Sequence, residues 1–403
     1  MTLRSRSKSS SESAPSAAAL SSVSHEMTGS SKVYKMMVRV GAAVAMMTML
    51  FCAVYIGHLA VGCLWSILTV GIFKELVAVA HREGNAERDI PWFRSVLWAW
   101  FVVSMLAAYT MPSLQAPMHL PEKMDELPVI GPMLSASLGP LKRYSALLSL
   151  WGYAGAFVWT VLSLRINHLA TQLRILSFTV FALSLFVVPM KMAIHNTFAG
   201  LFWFIFPLML VATNDSMAYF AGFLFGKKII KRPFLAISPN KTWEGFIGGG
   251  IATIVAGWLL PLVLLHPWFT CSFKSIEAAG VEGCQPHTVF SAAAPWGGVG
   301  LEIQYHGLCL AVFASTIAPF GGFAASAIKR AYKIKDFANW IPGHGGFVDR
   351  LDCQFLMALA TFVHLKTYVL IPSSPFERAM GAVASLSPDD RALLLQALAE
   401  GTK

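Results

Sequence analysis

The residues best suited to chemistry lie together in one stretch, Ser326 to Asp352, which reads SAIKRAYKIKDFANWIPGHGGFVDRLD. It lies between the apolar runs that begin at Gly307 and Cys353, so we expect it at or beside a membrane surface. Its charged side chains are the cations Lys329, Arg330, Lys333, Lys335 and Arg350 and the carboxylates Asp336, Asp349 and Asp352. Three glycines, Gly343, Gly345 and Gly346, surround His344.

This composition favours phosphate chemistry, which needs positive charge around several oxygens and a divalent cation held by carboxylates. Glycine beside His344 would let backbone N–H groups approach a phosphate, because a Cβ there would obstruct it. The alternative is a solvated basic loop that the positive-inside rule places in the cytosol. Such a loop does not need three aspartates or a GHGG turn.

A second charged stretch, Gly226 to Glu244, precedes another apolar run and ends in SPNKTWE. Hydroxyls of Ser238 and Thr242 beside a helix start, with Lys241 close by, suit an anionic group. The same residues would also serve as a capped helix start, with Ser or Thr as the cap and Glu244 in the first turn.

The first stretch resembles the complete signature of the phosphatidate cytidylyltransferase family, whose members are also called CDP-diacylglycerol synthases. The matching residues are Ser326, Lys329, Arg330, Lys335, Asp336, Pro342, His344, Gly345, Gly346, Asp349, Arg350 and Asp352. The residues from Ser238 through Gly245 are similar to the family's second motif, Ser-Pro-x-Lys-Thr-x-Glu-Gly. A match of this length is far more specific than a short glycine motif.

The resemblance implies that CTP and phosphatidate react with Mg²⁺ to give CDP-diacylglycerol and pyrophosphate. It assigns catalysis to Asp349, Asp336, Lys335 and Arg350, with Asp349 as the foremost metal ligand and Asp336 and Asp352 beside it. It assigns substrate binding to Ser238, Lys241, Thr242, Glu244, Ser326, Lys329, Arg330, His344, Gly345 and Gly346. We expect His344 to donate to a phosphate or to shape the turn, and not to act as a general base.

One departure from the family pattern affects the metal site. Bacterial relatives carry an acidic residue a few positions before the signature serine, whereas this chain has Gly321-Gly322-Phe323-Ala324-Ala325. A metal ligand then comes from elsewhere. Asp215 is our candidate, because a carboxylate inside an apolar run is costly and usually faces a polar cavity; the alternative is a tolerated interfacial carboxylate. His195 and Asn196 either face the same cavity or are structural.

Two other functions use similar residues. A CTP-dependent lipid kinase would need the same phosphate and metal groups but would transfer the γ-phosphoryl group to a lipid alcohol. A transporter of an anionic solute would line its pathway with intramembrane charges, and inverted repeats would favour it. The sequence contains no such repeat that we can detect.

The composition of the whole chain predicts the fold that positions these residues. Of 403 residues, 56% are hydrophobic and only 13% are charged, which indicates an all-α polytopic membrane protein without a large soluble domain. We expect about nine transmembrane helices around a polar active-site cavity that faces the cytosol. The predicted spans are two within 40 to 73, with a break at residues 55 to 58, and then 95 to 111, 145 to 164, 175 to 190, 198 to 225, 245 to 265, 307 to 328 and 351 to 370.

The flanking segments have different compositions. Residues 1 to 35 are rich in Ser and Ala and predict a disordered cytosolic tail, followed by a transmembrane domain over 36 to 372. Residues 373 to 403 predict a C-terminal amphipathic segment that contains a short helix. Within the domain, 266 to 305 form a long connector that carries Cys271 and Cys284.

Nine crossings that start from a basic cytosolic tail put both charged stretches in the cytosol, as the positive-inside rule requires. The connector 266 to 305 is then lumenal, where Cys271 and Cys284 could form a disulfide. With the family resemblance, this predicts an endoplasmic reticulum membrane protein that works on CTP and phosphatidate within membrane lipid. We expect no nucleic-acid partner, and a homodimer is compatible with the assignment.

Overall fold

The computed structural model describes residues 17 to 81, 92 to 110, 144 to 294 and 298 to 370, apart from 233, 236 and 240, together with 383 and 388 to 401. These residues form helices and connecting segments, with isolated β-bridges but no named strand among them. The predicted all-α class is confirmed.

The helices before residue 200 are α1 (Ala17–Ile56), α2 (His58–Ala80), α3 (Phe93–Thr110), α4 (Ser145–Ser163), α5 (Leu169–Ala182) and α6 (Val188–Ala199). Those after it are α7 (Phe202–Phe225), α8 (Trp243–Val263), α9 (Pro267–Thr270), α10 (Phe273–Gly283), α11 (Glu302–Thr316), α12 (Pro319–Ala331), α13 (Val348–Leu351), α14 (Gln354–His364) and α15 (Pro388–Gly401). One π-helical turn, Leu183–Val187, joins α5 to α6, and another, Leu365–Val369, extends α14.

Seven helical segments in the described part of the chain are long and apolar enough to cross a membrane. They are Met36–Ile56, His58–Ala80, Ala146–Ser163, Ile166–Ala199, Phe202–Phe225, Trp243–Val263 and Glu302–Ala331. The apolar part of α3 and the run from α14 through its π turn are shorter. Each predicted span therefore corresponds to an apolar helical segment, and seven of these have the length of a full crossing. The protein is a multi-pass membrane protein.

The helix boundaries differ from the sequence-based expectation at two places. Helix α1 extends back to Ala17, into the segment predicted to be a disordered tail, while residues 1 to 16 lie outside the described part. Extending a helix costs little once a stable apolar segment has nucleated it, and alanine is the best helix former. Helix α2 continues to Ala80, past Lys74 and Glu75, where we expected it to end.

The C-terminal segment contains the predicted helix, α15. Its residues Leu393, Leu395 and Leu398 are all exposed. Leu394, the remaining leucine of this helix, is half-buried.

The connector that carries the two cysteines lies at one end of the helical bundle, and the two charged stretches lie at the other. The predicted disulfide between Cys271 and Cys284 is present, and its connector packs on the junction of α1 and α2, where Trp268 Nε1 donates to the Val54 carbonyl (3.1 Å). At the other end, Arg330 Nε donates to the Ile237 carbonyl (2.6 Å) and so joins the two charged stretches. Both charged stretches share one end, as the span count predicts.

Small residues set the closest helix packing. A Cβ on Gly249 of α8 would lie 2.9 Å from the Cβ of Ala218 on α7, and one on Gly257 would lie 2.5 Å from the Cβ of Ala311 on α11 and 2.9 Å from the Gly307 carbonyl. Lipid chains are as apolar as leucine, so close backbone approach stabilises helix pairs in a membrane. The glycines of α8 therefore hold α7 and α11 in place.

We predict that Gly257→Ala destabilises the protein, because the added methyl group overlaps Ala311 and overpacking costs about 1–3 kcal/mol. The control is Gly155→Ala in α4, where an added Cβ would meet nothing within 4 Å. That control gains helix propensity without a clash. Thermal midpoints in detergent check this; equal midpoints for the two variants would contradict the packing described here.

Candidate active site

A cavity of about 440 Å³ lies between α7, α8 and the start of α12 at the end of the bundle that carries the charged stretches. It is lined by Asn214, Asp215, Ala218, Tyr219, Gly222, Phe223, Phe234, Lys241, Thr242, Gly245, Phe246, Pro319 and Phe323. Most of the wall is aromatic or small, and the charged side chains in it are Asp215 and Lys241. The cavity therefore combines an apolar surface with one anion and one cation.

Two neighbouring polar residues of α7, Asn214 and Asp215, have different surroundings. Asn214 is buried, and its Oδ1 accepts a hydrogen bond from the Thr253 hydroxyl of α8 (3.3 Å). Asp215, the next residue, is exposed to the cavity and interacts electrostatically with Lys241 and Arg350. Asp215 lines a cavity whose wall is otherwise largely apolar, and its role as a metal ligand stays a prediction. His195 and Asn196 are not among the residues that line this cavity.

The stretch before α8 is a capped helix start. Thr242 Oγ1 accepts from the Gly245 N–H (3.1 Å), as an N-cap side chain does. Glu244 accepts from the N–H groups of Lys227, Ile229 and Ile230 at 3.2, 3.0 and 2.7 Å, and so folds the preceding loop back on the helix. Glu244 therefore organises the backbone, whereas Lys241 reaches the cavity.

Aromatic contacts place Lys241 against the part of α12 that precedes the signature stretch. The Lys241 Nζ lies 4.7 Å from the ring centroid of Phe323 on α12, and Phe234 stacks on both Phe323 and Phe246. A cation over an aromatic face gains about 0.5–1 kcal/mol at exposed sites and more when desolvated. These rings therefore bring the loop before α8 against the start of α12, the helix that leads into the signature stretch; no residue from 326 to 352 lines the cavity itself.

The GHGG segment forms a tight turn. Gly343 and Gly345 have φ values of 73° and 83°, which side chains rarely allow, and the Ile341 N–H donates to the Gly345 carbonyl (3.0 Å). His344 Nδ1 lies 3.3 Å from the Pro342 carbonyl, and Arg350 Nε donates to the His344 carbonyl (3.0 Å). In this structure His344 and Arg350 thus shape the turn.

A buried glutamate of α2 holds this turn. Glu75 is 1% exposed, and its carboxylate accepts from the N–H groups of Phe347 (2.8 Å) and Val348 (3.0 Å) at the start of α13. A Cβ on Gly346 would lie 2.5 Å from Glu75 Oε2, so only glycine lets the carboxylate approach. Glycine at position 346 is explained by a carboxylate of the protein itself.

Asp349 is the most heavily bonded of the predicted metal ligands. Its Oδ1 accepts from Lys329 Nζ (2.7 Å), and its Oδ2 accepts from the N–H groups of Phe337 (2.9 Å) and Gly346 (3.0 Å). A carboxylate has about four lone-pair positions. Three of them are used here, so Asp349 fixes Lys329 and the turn in their positions.

Asp352 lies next to the cavity residues instead. Its Oδ1 accepts from the Cys353 N–H (2.8 Å), and it interacts electrostatically with Asp215 and Lys329. Burial is the largest influence on Asp352 and raises the pKa of its carboxyl group. A Cβ on Gly321 would overlap the Asp352 carbonyl, and one on Gly322 would lie 3.4 Å from Asp352 Oδ2. The backbone of Asp352 therefore excludes a side chain at position 321.

The four carboxylates predicted as metal ligands divide into two pairs. Asp215 and Asp352 interact beside the cavity, whereas Asp336 Oδ1 and Asp349 Oδ2 both lie within 3.2 Å of the point where a Gly345 Cβ would stand. Among the described residues, no group of three or more His, Cys, Asp or Glu side chains could hold a metal ion. Any metal held here would therefore need further oxygen ligands from substrate or water.

The other predicted residues have local contacts. The Ser326 hydroxyl donates to the Gly322 carbonyl within α12 (2.8 Å), and the Ser238 N–H donates to the Leu235 carbonyl in a tight turn (3.1 Å). Lys335 is exposed on the loop after α12. Ser326, Ser238 and Lys335 are not among the residues that line the cavity.

Two residues at this site were not identified from the sequence. Glu75 had a detectable signal, a carboxylate in an apolar run, which we interpreted as the end of the span. No sequence signal marked Arg39 of α1. In the structure its Cγ lies 2.6 Å from the point where a Gly343 Cβ would stand. Helix α1 therefore reaches over the GHGG turn.

We predict that Glu75→Gln lowers activity at least about tenfold, because an amide NH₂ would face one of the two backbone N–H groups that the carboxylate accepts. Hydrogen bonds to a charged group are worth about 1.5–3 kcal/mol each. The control is Glu302→Gln in the first turn of α11, which leaves the turn intact. Turnover together with protease sensitivity of the 340 to 348 segment checks this; normal values for both would contradict the role assigned to Glu75.

The sequence is similar to known proteins over most of its length. The sequence matches the cytidylyltransferase family over residues 37 to 368. It is similar to "Phosphatidate cytidylyltransferase 3" of Arabidopsis thaliana, with 32% identity over 396 residues that cover 94% of this chain and 81% of the relative. It is 35% identical to the "Putative phosphatidate cytidylyltransferase" of Schizosaccharomyces pombe (86% and 80% covered) and 33% identical to "Phosphatidate cytidylyltransferase 2" of Mus musculus (86% and 78% covered). The chain belongs to the cytidylyltransferase family.

Proposed function

We propose that this protein transfers the cytidylyl group of CTP to phosphatidate and forms CDP-diacylglycerol and pyrophosphate. The observation that carries the proposal is the cavity between α7 and α8, where Asp215 and Lys241 stand in an otherwise largely apolar wall. A lipid phosphate needs this combination, because its acyl chains require apolar surface and its headgroup requires cations. The relatives' names supply the identity of the substrates.

The reaction needs no covalent enzyme intermediate. A phosphate oxygen of phosphatidate attacks the α-phosphorus of CTP, the new O–P bond forms, and the bond from that phosphorus to the oxygen bridging to the β-phosphate breaks. Negative charge grows on the departing pyrophosphate. The protein can accelerate this step by positioning the two phosphates and by placing cations where the charge develops.

The cations differ in how they are held. Lys329 is fixed by Asp349 at 2.7 Å, Lys241 lies over Phe323, and both Lys241 and Arg350 interact with Asp215. Held side chains lose little freedom when a phosphate binds, so they favour binding and catalysis. We assign Lys241, Lys329 and Arg350 to the phosphates, with Arg39 as a further cation beside the GHGG turn.

We also propose that Mg²⁺ is the cofactor. The donor set fits, because Asp215 and Asp352 offer hard oxygen ligands, and Mg²⁺ is usually held by one or two carboxylates together with substrate phosphates. When bound, the ion would neutralise negative charge on the substrate phosphates. In this assignment Asp349 acts as a positioning residue, because its carboxylate is already bonded to three donors.

The cellular setting is part of the proposal. The disulfide lies at the bundle end opposite the charged stretches, and disulfides persist on the oxidising side of a secretory-pathway membrane. The cavity end, with its basic loops, then faces the cytosol. We place the protein in the endoplasmic reticulum membrane, with the site open to cytosolic CTP.

The direct test is incubation of the purified protein with CTP labelled on the α-phosphorus, Mg²⁺ and phosphatidate in mixed micelles. We expect labelled CDP-diacylglycerol and free pyrophosphate, and no product after chelation of the metal. A parallel reaction with diacylglycerol and γ-labelled CTP tests the lipid kinase, which would give labelled phosphatidate. Label transfer only in the second reaction would refute the proposal.

We predict that Asp215→Asn and Asp349→Asn both lower turnover, but that only Asp349→Asn also lowers the thermal midpoint. Asp215→Asn should lower turnover about 100-fold with an unchanged thermal midpoint, because it removes cavity charge but no bond that holds the fold. Asp349→Asn should lower both turnover and the midpoint, because an amide cannot accept from all three donors.

The measurements are the yield of folded protein, the thermal midpoint and the rate across a magnesium titration. Asp390→Asn in α15 is the matched control. A normal rate for Asp215→Asn at ordinary magnesium would remove Asp215 from the site. An unchanged midpoint for Asp349→Asn would show that its three bonds contribute little to stability.

A further inference from the structure

A second, much smaller cavity lies inside the bundle, with about 20 Å³ of space for water. Its wall is formed by α2, α6, α7 and α14, through Trp65, Ala193, Asn196, Trp203, Phe204, Pro207, Leu208, Gln354, Ala358 and Thr361. None of these residues lines the candidate active site. The two cavities are therefore distinct.

Three residues of this wall each carry a buried polar atom that has no hydrogen-bond partner among the described residues. The atoms are Trp65 Nε1, Asn196 Oδ1 and Thr361 Oγ1, on residues that are 5%, 2% and 0% exposed. An unpaired polar atom in the interior of a membrane protein is costly, because no bulk water can reach it. Three residues with such atoms line one small cavity, which points to an occupant that can bond to them.

The orientation of the Asn196 amide is fixed by a bond on its other side. Its Nδ2 donates to the Ala358 carbonyl on α14 (2.9 Å). A carbonyl only accepts, so the nitrogen must face Ala358 and the oxygen must face away from it. The unpaired atom of Asn196 is therefore an acceptor, whereas that of Trp65 is a donor.

A fourth group has lost its usual partner. Pro207 lies inside α7 and has no N–H, so the carbonyl of Trp203, four residues earlier, lacks its helical donor. Both residues belong to the cavity wall. The wall thus includes a donor (Trp65), an acceptor (Asn196), a hydroxyl that can be either (Thr361), and a backbone carbonyl short of a donor.

We propose that this cavity binds one ordered water molecule that links α2, α6 and α14. Water both donates and accepts, which the mixed set of groups requires, and a buried water usually makes about three hydrogen bonds. The space of about 20 Å³ exceeds the roughly 10–15 Å³ that one water needs. A metal ion is disfavoured because the Trp65 N–H would face it, and an acyl chain would leave all the polar atoms unpaired.

The water would hold α14 in register with its neighbours. Asn196 already joins α6 to α14, and the water adds α2 to that pair. Helix α14 begins two residues after Asp352, so its position determines where that carboxylate lies. The proposed water is a structural link beneath the candidate active site, and its test does not depend on enzymatic activity.

The first experiment is a structure of the wild-type protein in lipid nanodiscs at a resolution that shows ordered water. We expect a single density peak about 2.7–3.2 Å from Trp65 Nε1, Asn196 Oδ1 and Thr361 Oγ1. An empty cavity would overturn the proposal. So would a peak at the roughly 2.0–2.4 Å typical of metal ligands, or elongated density of an acyl chain.

The second experiment is a double-mutant cycle with Thr361→Val, which is nearly isosteric, and Trp65→Phe, which removes the N–H together with part of the ring. We expect Thr361→Val to lower the thermal midpoint by about 2 °C and Trp65→Phe to lower it further, because of the lost ring volume. That volume effect cancels in the cycle, so the double variant should lose less than the sum, because the two side chains share a partner. Trp100→Phe with Thr160→Val is the positive control, since those side chains bond directly at 2.9 Å. Strict additivity at Trp65 and Thr361, with coupling in the control, would overturn the proposal.

Discussion

Three carboxylates that accept backbone N–H groups hold the charged end of this protein together. Glu75 binds the start of α13, Glu244 binds the loop from Lys227 to Ile230, and Asp349 binds two N–H groups and a lysine. Loops at a membrane surface have little apolar surface to bury, so they need another source of order. A carboxylate provides it, because each charge-assisted hydrogen bond is roughly twice as strong as a neutral one.

The glycines at this end have a related explanation. Gly346 and Gly345 leave space for the carboxylates of Glu75, Asp336 and Asp349, and Gly321 leaves space for the backbone of Asp352. Glycine in a phosphate-binding loop is usually explained by the approach of the phosphate itself. Here part of the requirement comes from anionic side chains of the protein, which order the loop and leave Lys241 and Arg350 close to the cavity carboxylate of Asp215.

The same constraint on buried polar groups applies within the bundle. The single hydroxyl proton of Thr253 is shared between the Gly249 carbonyl (2.7 Å) and Asn214 Oδ1 (3.3 Å), which links α8 to the polar residue of α7. Among the described residues, His58 Nε2 and His195 Nδ1 are also buried without a partner, whereas at the cavity beside Trp65 and Asn196 a bound water would satisfy the unpaired atoms. The proposed structural water follows from this principle, because a polar atom in the membrane interior needs a partner.

The sequence alone determined the apolar segments, the family signature and the position of Asp215 inside an apolar run, because these depend on local composition and spacing. It also predicted that Cys271 and Cys284 pair, since they share the one long connector. The tertiary structure decided how the carboxylates are used. Glu75 bonds to residues 272 and 273 positions away, and Asp349 bonds to Lys329 and to the turn. Hydropathy shows which segments cross a membrane but not which helices are neighbours, because side-chain packing between distant segments sets that arrangement.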